Sequence, residues 1–438
     1  MMKRTMGDTL RSQTISTKLQ QIAQQAVNYP DTVFTTLCHK IDVPFLREAY
    51  RKTRKGAAPG PDKITAKIYA ENLEENLISL HKRIKEGRYK APPVLRIWIE
   101  KEDGKKRPIG IPAFEDKILQ RAVEMLLSSI YENLFYNFSM GFRKGRSQHQ
   151  AIHNLRENCR KQNINWIISA DITGLFDNIN HKMLKDLIRL KVNDGGIIRL
   201  IGKWLNAGVM EDERIHYPDM GTPQGGVISP LLSNIFLHYV LDEWFVKAVL
   251  PRMKGRCFII RWADDFIIGC ESKADAERIM DVLPKRFEKY DLNLHPKKTT
   301  LISFSKPAAS MRKDKVNGIF DFLGFTFYWA KSLKGYWIIK KKTAGKRLSR
   351  FMKMVWRWCK RNRHETIKEQ YEILCSKLRG FYQYYGVRSN YKALEVVFEY
   401  TEKAWRRWLS RRSHKGKVLM VDLRKQFSLP KPRIVHSI

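Results

Sequence analysis

An α+β fold is predicted by three observations. Short apolar runs of strand character end on carboxylates or turn formers, amphipathic helical stretches separate them, and the chain from residue 331 onward becomes helical and strongly basic. The length of 438 residues, with 43% hydrophobic and 11% aromatic content, allows a substantial core and roughly two to four domains.

The elements follow in order. An N-terminal helical portion reaches about Leu46, with Leu19, Ile22, Ala23, Ala26 and Val27 on one face, so the acid-poor start is read as a structural helix and not as a transit peptide. The loop over 52–62 contains a Lys-Gly-Ala-Ala-Pro-Gly-Pro-Asp run that neither a helix nor a central strand accommodates. Next come a helix over 69–87, a strand over Val94–Glu100 ending in the turn Asp103-Gly104, and a helix over 115–134. The apolar run 166–170 stops at Asp171. Two further runs, 258–262 and 266–270, flank Ala263-Asp264-Asp265 and predict a β-hairpin with acids at its tip. In one later helix Leu348, Phe351, Met352, Val355 and Cys359 make an apolar stripe, while Arg350, Lys353, Arg357 and Lys360 share another face. Two more amphipathic stretches follow, on Ile367, Tyr371, Leu374 and Leu378, and on Leu394, Val397, Phe398, Trp405 and Trp408.

Charge narrows the partners. The chain holds 82 Lys and Arg against 44 Asp and Glu, a net charge of +38, and residues 331–438 hold 29 against 7, or +22 of that surplus. A polyanionic partner is implied. No apolar stretch reaches the ~18 residues of a membrane span, so no membrane partner is expected. The six cysteines include no C-x-x-C pair, which argues against a zinc module and a disulfide framework.

The chemistry lies in Asp171 and the Asp264-Asp265 doublet. Strands packed side by side would bring these carboxylates together, and divalent metal relieves their repulsion. Two such ions about 4 Å apart can activate a 3′-hydroxyl and stabilise leaving pyrophosphate. A lone Ala-Asp-Asp is an ordinary solvated turn; the surrounding motifs decide otherwise.

Those motifs are the run from Gly221, Thr222, Pro223, Gln224, Gly225 and Gly226 to Asn234, then Arg107-Pro108-Ile109-Gly110-Ile111-Pro112, Gly141-Phe142-Arg143-Lys144-Gly145-Arg146-Ser147, Asp171 to His181, Arg261 to Phe266, and Phe322-Leu323-Gly324-Phe325. In these the chain resembles the reverse transcriptases of group II introns. Leu378-Arg379-Gly380-Phe381-Tyr382-Gln383-Tyr384-Tyr385-Gly386 extends the resemblance into the family's maturase region.

The resemblance implies a right-hand polymerase with fingers, palm and thumb followed by a helical maturase-like region, divided as 1–165, 166–330 and 331–438. It implies two Mg2+ ions on Asp171, Asp264, Asp265 and the Ile172 carbonyl. Lys101, Arg107, Arg143, Arg146 and Lys298 would contact nucleotide or template phosphates, Gln224 would shape the nucleotide pocket, and Phe176 would stack on the sugar and exclude a 2′-hydroxyl. Leu323, Gly324 and Phe325 match the primer grip, and Arg350, Lys353 and Arg357 would bind RNA. The expected partners are RNA template and primer, dNTPs and structured intron RNA, in a bacterial cytoplasm. A stand-alone reverse transcriptase of antiviral defence and an RNA-binding splicing cofactor are the alternatives. Trp262 stands where the family usually has tyrosine, and no His-Asn-His or paired-cysteine endonuclease segment precedes Ile438, so priming without a nuclease of its own is expected.

Overall fold

The computed structural model describes residues 6–100, 106–211, 214–216, 220–221, 225–308, 318–412 and 418–438, with the backbone alone for 6–14 and 215. Helices and strands mix up to residue 343 and helices dominate after it. The expected boundary at 330/331 falls within a hairpin. The change from sheet to helix comes at Ala344.

Eleven described strands form three sheets. In the first, β1 (Val94–Glu100) pairs antiparallel with β2 (Lys106–Ile111) and parallel with β4 (Val209–Glu211), which pairs with β5 (Arg214–His216). The central sheet runs β6 (Cys257–Trp262), β7 (Asp265–Cys270), β3 (Trp166–Asp171) and β8 (Thr300–Ser303). The third runs β11 (Trp337–Thr343), β10 (Phe325–Lys331) and β9 (Phe320–Phe322).

The central strands read as continuous apolar runs because both faces are covered. Ile168, Ala170, Ile259, Phe266 and Ile268 point into one core, and Ile167, Phe258, Ile260 and Ile267 into a second that also takes Phe325, Phe327, Trp329 and Ile339. The helix Phe114–Tyr131 is buried along nearly its whole length in the first core. The buried carboxylate and amide of Asp116 and Gln120 are accordingly partnered. Asp116 accepts from the Trp204 indole (2.7 Å) and Gln120 (2.9 Å), and burial pushes its carboxyl up to about 6. Gln120 Oε1 in turn accepts from the Val227 N–H at 2.8 Å, which ties down the chain after Gly225.

Past β11 the helices Gly345–Arg361, Ile367–Tyr385 and Tyr391–Leu409 close a third core on Val355, Cys359, Leu374, Leu378, Leu394, Val397 and Trp405. A reciprocal cap between Thr366 and Glu369 starts the middle helix, as this spacing favours. The strand β11 was expected to be helical. It alternates correctly for a strand, with Trp337, Ile339, Lys341 and Thr343 buried, but a lysine occupies one inward position. Lys341 is accommodated there because its ammonium donates to the Ile438 carbonyl at 2.9 Å.

Candidate active site

Register sets the acids. β3 and β7 pair so that Asp171 lies opposite Asp265, and β6 and β7 pair so that Trp262 also faces Asp265, leaving Ala263 and Asp264 as the hairpin turn. Ala263 adopts a left-handed φ of 56°, the conformation such tight turns require. The Ile172 N–H donates to the Asp264 carbonyl at 3.3 Å, and the His295 N–H to the Asp171 carbonyl at 2.8 Å. The second contact fastens the loop that carries Lys298, whose ammonium lies 2.6 Å from Asp171 Oδ2.

The electrostatics are those of crowded acids. Burial raises the Asp264 carboxyl above its usual range and Asp171 adds to it, while Arg107 and Lys298 oppose the rise. Asp265 is pushed up to about 8, first by burial and then by Asp171 and Asp264. Positive charge is thus strongly favoured beside them. Among the described residues, no three carboxylate, imidazole or thiol groups close up into a coordination sphere, and Asp171 is engaged by Lys298.

The turn is held from behind by Arg261, Asn234 and Gly141, which lie in the motifs but carried no assigned role, together with Asp242 and Ser139, which lie outside them. Arg261, 0% exposed, donates to Asp242 (2.8 and 2.6 Å), Asn234 Oδ1 (3.0 Å), Ser139 Oγ (2.6 Å) and the Ala263 carbonyl (3.1 Å). Asn234 donates onward to the Gly141 carbonyl at 2.8 Å. A Cβ on Gly141 would stand 2.4 Å from the Ala263 nitrogen, so only glycine lets this segment meet the turn. An arginine inside the apolar run 258–262 was the available signal, since a buried guanidinium demands partners. Nothing nearby pointed to Asp242.

Phe176 is half-buried on the short helix Leu175–Asn178. Its backbone packs on Gly221, where a Cβ would come within 2.8 Å of the Phe176 and Asp177 carbonyl oxygens. Lys101 and Gln224 lie outside the described residues. Arg143 differs from expectation. Its side chain is buried and donates to the Glu132 carboxylate (2.9 Å) and to the carbonyls of Glu132, Tyr136 and Ser139 (3.0, 2.8 and 2.7 Å), so it staples its own loop and offers little to a phosphate. Arg146 is bonded to Asn137 Oδ1 at 2.7 Å.

Leu323 and Gly324 form the left-handed β9–β10 turn, with φ of 48° and 77°. The Leu323 carbonyl accepts from the Tyr384 hydroxyl (2.7 Å) and the Gly324 carbonyl from the Ala344 N–H (3.0 Å). The Phe325 ring is fully buried beside Tyr384 and Tyr385, which makes it a core residue and not a contact surface. Arg350, Lys353 and Arg357 are exposed on the helix Gly345–Arg361. No described helix is long and apolar enough to cross a membrane.

Comparison with known proteins bears on this arrangement. Residues 99–327 match the family model "Reverse transcriptase (RNA-dependent DNA polymerase)". The chain is 30% identical over 457 residues to the group II intron-encoded protein LtrA of Lactococcus lactis subsp. cremoris, covering 86% of this chain and 74% of that protein. It is 36% identical over 300 residues to protein YkfC of Escherichia coli K12 (61% and 79%), and 35% identical over 238 residues to an uncharacterized 91 kDa protein in the cob intron of Schizosaccharomyces pombe (53% and 29%). With its paired carboxylates on strands inside the matched region, the chain belongs to the reverse transcriptase family, in the branch of the group II intron reverse transcriptases and maturases.

Proposed function

We propose that this reverse transcriptase extends a primer with deoxynucleotides at the Asp171, Asp264 and Asp265 site and assists the splicing and mobility of a group II intron. The observation that carries the first half is the β3–β7 register that sets Asp171 opposite Asp265, with Asp264 in the adjoining turn. In this reading the central sheet is the palm, the β2-β1-β4-β5 sheet belongs to the fingers, and the helices after Ala344 form the thumb and maturase region.

The donor set fits hard divalent cations, being all oxygen, and its crowded carboxyls, raised by burial and by one another, gain from a cation that favours their charged form. Asp171, Asp264, Asp265 and the Ile172 carbonyl would hold two Mg2+ ions, which supply Lewis-acid stabilisation of the attacking and leaving oxygens. The chain's own residues do the rest. Arg107 and Lys298 present positive charge beside the acids, where a triphosphate would lie, and Lys101 and Gln224 would add the nucleotide contacts that the family resemblance implies. Arg350, Lys353 and Arg357 offer one exposed basic face to RNA phosphates.

The test is primer extension on an RNA template. Product should need deoxynucleotides, vanish with chelator and return with magnesium; a chelator-resistant activity would sink the metal assignment. In parallel, splicing of the neighbouring intron transcript should depend on the protein, and a polymerising protein without that effect would leave a stand-alone reverse transcriptase.

Phe176→Ala should admit ribonucleotides, because removing the ring opens the space a 2′-hydroxyl would fill. The ratio of rNTP to dNTP incorporation on one template measures this. An unchanged ratio would make Phe176 a packing residue alone.

A further inference from the structure

The β10–β11 ribbon buries one face and leaves most of the other partly exposed, with Thr326 buried beside Asp321 of β9 and the Lys340 ammonium donating to the Lys331 carbonyl at 2.9 Å. Phe325, Phe327, Trp329, Trp337 and Ile339 point into the second core. On the outer face Tyr328 stands opposite Lys340, Ala330 opposite Ile338 and Thr326 opposite Lys342. The Lys342 ammonium lies 5.2 Å from the Tyr328 ring centroid. Residues 325–343 hold five lysines and no acid.

The tip is ordered and apolar. The Ser332 N–H donates to the Tyr336 carbonyl (2.8 Å), the Tyr336 N–H to Ser332 Oγ (3.1 Å) and the Gly335 N–H to the Ser332 carbonyl (3.1 Å). On this frame Leu333 is 109% exposed, Tyr336 72% and Ile338 40%. Lysines on a sheet edge commonly block strand addition. Here that need is met over the half of the β11 edge nearer the helices, where the Ser389 hydroxyl and the Asn390 amide bond the Lys341 and Thr343 backbone. Nor would protection against aggregation place leucine and tyrosine at the tip.

We propose that the outer face and tip of this ribbon are an RNA-docking surface, with Lys334, Lys340 and Lys342 on the backbone of a folded RNA and an unpaired base stacked on Tyr336. Lysines on a ribbon that carries no acid of its own, the nearest being Asp321 of β9 bonded to Thr326, suit a phosphate backbone with splayed bases when exposed aromatic rings stand beside them, and a pre-formed tip spares ordering entropy on binding. None of these residues lies among those around the carboxylates. The inference rests on an RNA partner for the chain and adds where that RNA would sit.

The experiment uses the full chain and a labelled stem-loop RNA with 4-thiouridine in its loop, in chelator and without nucleotides. Lys334→Gln/Lys340→Gln/Lys342→Gln should weaken binding by ~10-fold or more and flatten the log–log salt slope by about 2 to 3, since each lost phosphate contact removes a released counterion. Irradiation should crosslink the loop to the tip, and Tyr336→Ala should abolish that crosslink. Extension of a short primer on an unstructured template should stay at the parent's rate, which also reports folding. Parent-like affinity and slope in the folded triple variant would overturn the proposal. So would unchanged RNA binding accompanied by lost binding to phosphatidylserine vesicles, which would assign the face to an anionic membrane. A parent that extended no primer would defeat the polymerase reading but not this measurement, which needs no catalysis.

Discussion

Asp264→Asn should abolish primer extension, by ~100-fold or more, the order lost when one transition-state-stabilising group is removed, while leaving RNA binding and protein-assisted splicing in place. Asp264 sits in the turn between β6 and β7, its carboxyl raised first by burial and then by Asp171. A carboxyl whose folded pKa exceeds its unfolded value weakens the fold above the unfolded pKa, near 4, and that penalty fades as pH falls. A neutral amide removes the penalty at neutral pH. The variant should therefore melt no lower than the parent in chelator, and somewhat higher is expected. Magnesium should raise the parent's melting temperature, because a ligand that binds the folded state alone stabilises it, and should raise the variant's less. Splicing chemistry belongs to the RNA in this scheme, so the protein needs its basic surface, most of whose surplus charge follows residue 331. Full extension by the folded variant would remove Asp264 from the metal site. Joint loss of extension and splicing in a folded variant would show that the two surfaces are coupled.

What the sequence made legible, and what it hid, follows from how far apart the cause and the signal lie. The acid-tipped hairpin and β3 were legible because each apolar run is local, is covered on both faces, and stops on an acid at its own end. The basic helices were legible because amphipathic spacing repeats within one element. The strand β11 was not, since Lys341 interrupts its inward pattern and its partner, the Ile438 carbonyl, is 97 residues away. Arg143 shows the opposite failure. Its motif marks it as important, but composition cannot say whether a guanidinium points to solvent or caps three carbonyls of its own loop. Phe325 likewise belongs to a meaningful turn while its ring faces inward.

The clamp behind the catalytic turn gives the second large effect. Asp242→Ala should cost about 3–5 kcal/mol of stability, because it strands the Arg261 charge where neither side chain reaches water. Burial raises the Asp242 carboxyl even with the guanidinium beside it, and buried ion pairs in general are replaced by apolar residues at little cost. Replacing both partners with apolar residues of similar volume, Arg261→Met with Asp242→Leu, should therefore recover most of that stability. Activity should not come back with it. The same guanidinium donates to the Ala263 carbonyl and to Asn234, whose amide holds Gly141 against the turn, and a methionine makes none of those bonds. Displacing Asp264 by even about 1 Å is enough to cost ~100-fold in a reaction that depends on alignment. Urea unfolding and primer extension on the two variants separate the effects: low stability and low activity for Asp242→Ala, near-parent stability with low activity for the double variant. If the double variant regains both, the clamp serves folding alone, and the position of the catalytic turn is set by the strand register without help from Arg261.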